Sequence, residues 1–355
     1  MLKMISRLLL SGVCLVVTMV FMLFAKYSGD WFFWFYPDLS RKLLGILSAV
    51  TSPIPIALWE LFLVGLFLWM FYTFLQNLRP FRLHIWLSGV LLSLSAGVLI
   101  FVSLWGLNYF APSMESRMGL PEQQYTVEQL KEATAYYRDM ANHWAPEVKR
   151  DARGSMAAYD FYDLAERAHE GYEVVEKKFP FITGCTDAVK PLFFSKLFVK
   201  TGTTGMFVPF TGESTVSTET YPAAVPFTMC HEIGHRMAFA REDETNFVGF
   251  LGCIENPAPE FRYSGYYMAF RYCYNALYKV DANAALSLWS GVGKHMSADF
   301  NTSAQHYEER KSETLTAVTD AVYESYLHSF DVESGLQSYG EVADLLLAWY
   351  FERIK

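Results

Sequence analysis

The sequence has no surplus of basic residues and lacks the motifs that hold phosphates. Its 29 Lys and Arg residues are outnumbered by 37 Asp and Glu residues, which gives a formal net charge of −8. Neither a GxxxxGK[ST] loop nor a strand-flanked GxGxxG occurs. Because nucleic-acid interfaces are basic and nucleotide sites often use glycine-rich loops, we expect neither nucleic acid nor nucleotide as a partner.

A serine-nucleophile motif is also missing, and cysteine is scarce. No GxSxG is present, so the sequence gives no support for serine catalysis. Of the five cysteines, Cys14 lies in an apolar N-terminal run and four lie downstream: Cys185, Cys230, Cys253 and Cys273. Those four are an even number that an oxidising compartment could pair, and they are equally compatible with small buried apolar residues.

Apolar residues, in contrast, are abundant. The chain is 52% hydrophobic and 17% aromatic, with a mean hydropathy of +0.14. Three runs, at residues 8–25, 56–75 and 85–110, each hold about twenty apolar residues, enough to cross a hydrocarbon core of roughly 30 Å. The first run is longer than the apolar part of a signal peptide and lacks a clear cleavage site, which favours an uncleaved anchor. We therefore predict a membrane domain over residues 1–110.

Basic residues near these runs predict the orientation of a multi-pass protein in the cell membrane. Lys3 and Arg7 precede the first run, and Arg79 and Arg82 lie between the second and third. The positive-inside rule places these residues in the cytoplasm, so the N-terminus is cytoplasmic and residues 111–355 are extracytoplasmic. Basic residues in the first loop weaken this orientation without reversing it: Lys26, Arg41 and Lys42.

One carboxylate, Glu60, lies inside the second apolar run. A charge in hydrocarbon is costly, so we expect Glu60 to face a protein partner or to lie at the membrane interface. Its position only five residues after Pro55 favours the outer interface.

The rest of the chain divides into a polar linker at residues 111–125 and a domain at residues 126–355. Most of this domain has helical periodicity. The exception is KLFVKTGTTGMFVPFTGESTVSTETYP, where Thr, Val and Phe with Gly punctuation predict one or two strands. Part of this segment is compatible with either an edge strand that pairs with an extended substrate or an ordinary sheet strand. The predicted fold class is mainly α, with a small sheet before the next motif.

That motif lies in TMCHEIGHRMAFAREDETNFVGF, residues 228–250. On a helix, His231 and His235 are one turn apart on the same face, where two imidazoles can share a cation. Glu232 is offset by one residue, close enough to accept a proton from a water molecule at the metal. This is the HExxH pattern, which predicts a zinc site with Glu232 as catalytic base.

A catalytic zinc site normally has three protein ligands, so a third ligand is needed. On a straight helix Glu242 would lie about 10.5 Å beyond His235 along the axis, so the chain must reverse within RMAFAR. If a second helix begins near Arg241, Glu242 becomes a ligand and Asn246 can hydrogen-bond a histidine ligand from behind. Glu244 is the alternative ligand, and a ligand from elsewhere in the chain stays open.

Several segments resemble one family: PFTMCHEIGHRMAFAREDETNF, MFVPFTGESTV, YSGYYMAF and SYGEVADLLLAWY, together with the three apolar runs. They resemble the bacterial membrane family catalogued as domain of unknown function 3810, over nearly the whole chain. The HExxH and ExxxN pattern also resembles that of gluzincin metallopeptidases. This resemblance implies a zincin-like domain at residues 126–355, with zinc ligands His231, His235 and Glu242 and the catalytic Glu232. Two positions depart from the expected pattern, Ala238 in place of Gly and Thr245 in place of Ala.

We therefore expect an integral membrane zinc metallopeptidase whose substrate is a peptide or protein. Tyr263, Tyr266 and Tyr267 are candidates for stabilising the oxyanion. The alternatives are a non-catalytic envelope protein with a structural or regulatory metal site, and a membrane scaffold in which the HEIGH sequence is a coincidence. An open fourth coordination position favours the peptidase, since structural zinc sites are closed by four protein ligands.

Overall fold

The computed structural model describes residues 2–78, 82–121, 123–330 and 338–355. It is mainly helical with one small sheet, as predicted. The N-terminal helices are α1 (Leu2–Tyr27), α2 (Asp30–Phe33), α3 (Tyr36–Thr51), α4 (Leu58–Leu78) and α5 (Leu83–Leu104). The helices before the HEIGH motif are α6 (Met114–Met118), α7 (Val127–Trp144), α8 (Phe161–Arg167), α9 (His169–Lys178) and α10 (Ser195–Phe198).

From the motif onward, the regular elements of the described residues are all helices. These helices are α11 (Val225–Arg236), α12 (Glu242–Glu255), α13 (Pro259–Val280), α14 (Ala282–Trp289), α15 (Lys294–Arg310), α16 (Glu313–His328) and α17 (Ser338–Trp349). Short 3-10 helices span Gly106–Phe110, Ala145–Glu147, Val199–Thr201 and Pro222–Ala224, and a π-helix spans Tyr350–Ile354.

Three of these helices, α1, α4 and α5, are long and apolar enough to cross a membrane. Most of their side chains are exposed, which suggests association with lipid. The third predicted run is too long, because α5 ends at Leu104 and a 3-10 helix follows. Arg79 lies outside the described residues, and the predicted orientation stays a prediction.

The segment between the first two apolar helices includes α3, which is hydrogen-bonded to the end of α5. The Tyr36 hydroxyl donates to the carbonyl of Ser103 at 3.2 Å, and the Ser40 hydroxyl donates to the carbonyl of Leu104 at 2.7 Å. The buried residues Phe32, Leu44 and Trp105 belong to a cluster that also includes Ala240, which lies in the loop between α11 and α12. The membrane-proximal helices and the predicted metal site therefore share packing.

The sheet has three strands, β1 (Lys190–Pro191), β2 (Gly205–Val208) and β3 (Glu213–Val216), in the order β1-β3-β2. Strands β2 and β3 are antiparallel and come from the segment that predicted strands, whereas β1 pairs in parallel with β3 and was not predicted. β3 is fully buried and packs on α11. β2 lies at an edge of the described sheet and, like β3, packs on α11.

The main core is formed where α12 and α13 pack on each other and on α11, with α7 packed on α13 and α17 packed on α12 and α13. Cys230, Cys253 and Cys273 are buried in this core, and all five cysteines are free. The structure therefore agrees with the interpretation of these three as small apolar residues.

Two carboxylates join the first turn of α4 to the part of the chain that follows the linker. Glu213 accepts hydrogen bonds from the backbone N–H groups of Leu58 and Trp59, both at 2.9 Å. These N–H groups have no hydrogen-bond partner within their own helix, and the Glu213 carboxylate supplies one. Its negative charge also interacts favourably with the positive end of the helix dipole. Glu60 in turn accepts from the N–H groups of Phe193 and Phe194 at 2.7 and 2.9 Å. Glu60 therefore faces a protein partner, one of the two environments expected for it.

Candidate metal centre

Helix α11 carries both histidines and ends in a tight reversal of the chain. The N–H of Ala238 donates to the carbonyl of His235 at 3.0 Å, and the N–H of Phe239 donates to the carbonyl of Gly234 at 3.3 Å. This is the Schellman arrangement, which requires a left-handed residue just beyond the helix. Ala238 takes that conformation, with φ of 68°. The predicted reversal is therefore present, although the residue in the left-handed position has a Cβ.

Helix α12 begins at Glu242 and runs back against α11, where glycines allow close contact. A Cβ added to Gly249 would lie 3.1 Å from the backbone nitrogen of His231, and one added to Gly234 would lie 3.0 Å from Thr245. The two helices can therefore approach closely enough to bring Glu242 beside both histidines.

The ligand atoms of His231, His235 and Glu242 lie within 4.8 Å of one another. Nε2 of His231 is 3.3 Å from one carboxylate oxygen of Glu242, and Nε2 of His235 is 3.6 Å from the other. Ligands about 2.1 Å from a tetrahedral zinc are about 3.4 Å apart, so these spacings fit such an ion. The imidazole planes are at 90° to each other, with centroids 4.7 Å apart.

Groups on the Nδ1 side of the His235 ring determine its orientation. Its Nδ1–H donates to the carbonyl of Phe239 at 2.8 Å, which leaves Nε2 to face Glu242. The Thr245 hydroxyl lies 3.0 Å from the same carbonyl and 2.7 Å from the carbonyl of Arg241. Thr245 therefore holds the turn that orients His235. From the sequence, Thr245 is notable only as a Thr where the family pattern has Ala. Its role in holding the turn depends on the conformation of residues 237–241, which the sequence does not show.

His235 is also tied to the end of α5. The indole N–H of Trp105 donates to the backbone carbonyl of His235 at 3.0 Å, and the two rings meet edge to face at 5.9 Å. Trp105 is the first residue after the last apolar helix. The predicted metal site is thus connected directly to the end of the last apolar helix.

Asn246 does not make the predicted hydrogen bond to a histidine. It lies one turn after Glu242 and faces α13, where its Oδ1 accepts from the hydroxyl of Tyr272 at 3.0 Å. Among the described residues, Nδ2 of Asn246 and Nδ1 of His231 are buried and have no hydrogen-bond partner. The group that hydrogen-bonds a histidine of the site is therefore the Phe239 carbonyl, and the histidine that it orients is His235.

Glu232 is buried between α11 and the sheet. The hydroxyl of Ser214 in β3 donates to the backbone carbonyl of Glu232 at 2.7 Å. A Cβ on Gly205, the first residue of β2, would lie only 2.4 Å from Oε1 of Glu232, so the carboxylate needs a glycine there. Burial raises the pKa of Glu232 to about 7, although the nearby histidines oppose this shift. Its Oε2 has no hydrogen-bond partner among the described residues.

The charges of His235 and Glu242 shift each other's pKa values. Burial alone would lower the pKa of His235, but the hydrogen bond and negative charge of Glu242 outweigh it and raise the pKa to about 9. Burial likewise opposes ionisation of Glu242, yet the two histidines hold the pKa of that carboxyl well below its usual range. In the absence of a metal the site is therefore an ionised, partly exposed carboxylate paired with a protonated imidazole.

Glu244, the alternative ligand, faces away from the histidines. Its Oε1 accepts from the backbone N–H of Met114 at 3.0 Å and lies 3.9 Å from Nε of Arg241. Glu244 is offset by two residues from Glu242 on α12, which turns it toward α6. Of the two glutamates, only Glu242 belongs to the group that could hold a metal.

The tyrosine nearest the site was not predicted. The hydroxyl of Tyr323 in α16 donates to Oε1 of Glu242. The candidates Tyr263, Tyr266 and Tyr267 lie instead in the core: the Tyr263 hydroxyl donates to Asp299, and the Tyr267 ring packs on Phe300 at 4.7 Å. No local signal marks Tyr323, because it lies 81 residues from Glu242 in the sequence.

Comparison with known proteins identifies the family. The family model described as "Protein of unknown function (DUF3810)" matches residues 35–347, which include every residue of the candidate metal centre. Since the match covers most of the chain, the protein belongs to this family. No curated protein and no solved structure matches the chain.

Proposed function

We propose that this member of the DUF3810 family is an integral membrane, zinc-dependent metallopeptidase with a zincin-like outer domain. The observation that carries the proposal is the group of His231, His235 and Glu242, with Glu232 on the same helix. The two histidines and the third ligand come from helices on either side of a chain reversal, as the HExxH pattern requires.

The donor set supports zinc and an open site. Two imidazole nitrogens and one carboxylate are the usual ligands of catalytic zinc, which keeps its fourth position for water or substrate. Among the described residues, no fourth His, Cys, Asp or Glu joins the group. A structural site would need such a fourth ligand, so this observation favours the peptidase over the non-catalytic alternative.

Glu232 is suited to proton transfer. A zinc ion held by these residues would supply a Lewis acid for a peptide carbonyl and would lower the pKa of water. Glu232 is the buried carboxylate next to the ligand His231 on the same helix, so it would accept a proton from the attacking water and pass it to the leaving amine. The Phe239 carbonyl orients His235, and Gly249 packs closely against the backbone of His231, so the chain would keep both ligands in position while Glu232 moves the proton.

The edge strand β2 suggests how a peptide could bind. An extended peptide can add to a sheet edge through backbone hydrogen bonds. Gly205, the first residue of β2, is in contact with Glu232, so a peptide along this edge would pass beside the catalytic carboxylate. We therefore propose peptides in extended conformation as substrates.

The test uses full-length protein purified in detergent, with zinc measured by elemental analysis and cleavage of a peptide mixture followed by mass spectrometry. We expect about one zinc per chain, because the three proposed ligands form a single site. Glu232→Gln should retain the zinc and lose cleavage, whereas Glu242→Gln should lose the zinc. Glu244→Gln is the matched control, since this buried glutamate lies two residues away and faces Met114.

The outcomes separate the alternatives. If Glu232→Gln keeps full cleavage activity, the peptidase proposal is wrong. If zinc is bound through Glu242 but the parent cleaves no peptide, the site is structural or regulatory. A folded parent without zinc would favour the scaffold.

A further inference from the structure

The segment after β1 exposes three large apolar side chains. Phe193, Phe194 and Leu197 are 70%, 38% and 56% exposed, and we refer to them as the aromatic ridge. Clusters of exposed apolar side chains on a folded domain mark surfaces that contact another phase or molecule. The ridge is not part of the candidate metal centre.

The ridge is fixed to the beginning of α4. The carboxylate of Glu60, in the first turn of α4, accepts hydrogen bonds from the N–H groups of both ridge phenylalanines. The ring of Trp59 meets that of Phe198 edge to face at 5.8 Å, and Leu192 is buried with Trp59. Contacts on both sides of the ridge therefore determine where it lies relative to this helix.

The length of α4 places its first turn at a bilayer surface. Twenty-one residues at about 1.5 Å each give roughly 32 Å, close to the hydrocarbon thickness of about 30 Å. If α4 spans the bilayer, its two ends therefore lie near the two interfaces. Because Glu60 holds the ridge against the first turn, the ridge lies at one of these interfaces.

The charges around the ridge suit lipid headgroups. Lys196 lies within the ridge segment and Lys200 follows it, and both side chains are exposed. Aromatic rings with adjacent basic residues are enriched at membrane interfaces, where the cations meet anionic headgroups. These lysines are opposite in sign to the chain as a whole, which carries a net charge of −8.

We propose that the aromatic ridge inserts into the lipid leaflet at which α4 begins, as a second membrane anchor of the outer domain. The ridge connects to the candidate site through the sheet, since the N–H of Leu192 donates to the carbonyl of Val216 at 3.0 Å. β3 also contains Ser214, which holds the backbone of Glu232. The ridge thus fixes the height of the site above the bilayer, and this inference does not depend on the peptidase proposal.

The test measures the depth of labels on the full-length chain in phosphatidylcholine vesicles containing phosphatidylglycerol. Cys14 and Cys185 are first replaced by serine, while the three buried cysteines stay. An environment-sensitive fluorophore is then attached to Phe193→Cys or Leu197→Cys. The matched control is Tyr278→Cys, an exposed aromatic position of α13, 51% exposed. Circular dichroism checks that each variant folds.

We expect blue-shifted emission from both ridge labels, and loss of that emission when lipids carry a nitroxide high on the acyl chain. The control label should show the emission of an aqueous surface in both kinds of vesicle. Ridge labels that behave like the control would overturn the proposal. A blue-shifted label that nitroxide lipids do not quench would overturn it too, because protein rather than lipid would then cover the ridge.

Discussion

Gly205→Ala places a methyl group against the proposed catalytic base. The new Cβ would lie 2.4 Å from Oε1 of Glu232, whereas an ordinary contact begins at 3.4 Å, so the oxygen must move by about 1 Å. A misplacement of about 1 Å at a reacting group costs about 100-fold in rate, or about 2.7 kcal/mol. The three atoms nearest to the new Cβ all belong to Glu232 and none to a proposed ligand, so we expect the zinc content not to change.

The assay compares kcat/KM on a cleaved peptide with zinc per chain and melting temperature. We expect activity to fall about 100-fold while zinc stays at the parental level, and overpacking to reduce stability by about 1–3 kcal/mol. Gly97→Ala is the matched control, because a Cβ there meets nothing within 4 Å. Parental activity in Gly205→Ala would refute the reasoning that Glu232 acts from its position beside β2.

Three further predictions concern the surroundings of the site. Thr245→Ala should weaken zinc binding about 10-fold, and Thr245→Ser should restore it, because the hydroxyl holds the turn that orients His235; competition with a chromophoric chelator measures this affinity. His235 has a pKa of about 9 without metal and must be neutral to bind zinc, so zinc binding at pH 7 should release about one proton. For the same reason, zinc affinity should rise with pH until about pH 9. Calorimetry in buffers of different ionisation enthalpy measures the released protons, and a value of zero would contradict this prediction. Glu213→Gln should destabilise the protein by about 3–5 kcal/mol, because it removes the carboxylate that lies 2.6 Å from the buried ammonium group of Lys190. Adding Lys190→Met should recover part of this lost stability, as measured by thermal unfolding.

Features encoded by local spacing could be predicted from the sequence. The three apolar helices follow from run length, and the shared face of His231 and His235 follows from helical geometry. The reversal before Glu242 could also be inferred, because a third ligand is useful only if the chain turns back. Glu242 rather than Glu244 then faces the histidines as a consequence of where α12 begins.

Features that depend on distant parts of the chain could not be predicted. Trp105 contacts His235 from 130 residues away, and Tyr323 reaches Glu242 from a helix near the C-terminus. Asn246 was placed correctly on the same helix as Glu242, but its partner is decided by the packing of α13. A residue's element can be inferred from its neighbours in sequence, whereas its hydrogen-bond partner depends on how the elements pack.

The hydrogen bond from Trp105 to His235 would make the proposed metal centre sensitive to the thickness of the membrane. A transmembrane helix adjusts to a thinner or thicker bilayer by changing its tilt. Trp105 follows α5 directly, so if α5 spans the bilayer, such a tilt would pull on the backbone of a proposed zinc ligand. Zinc affinity compared between vesicles of short-chain and long-chain lipids would therefore report hydrophobic mismatch, and lipid composition becomes a means by which a cell could adjust this centre.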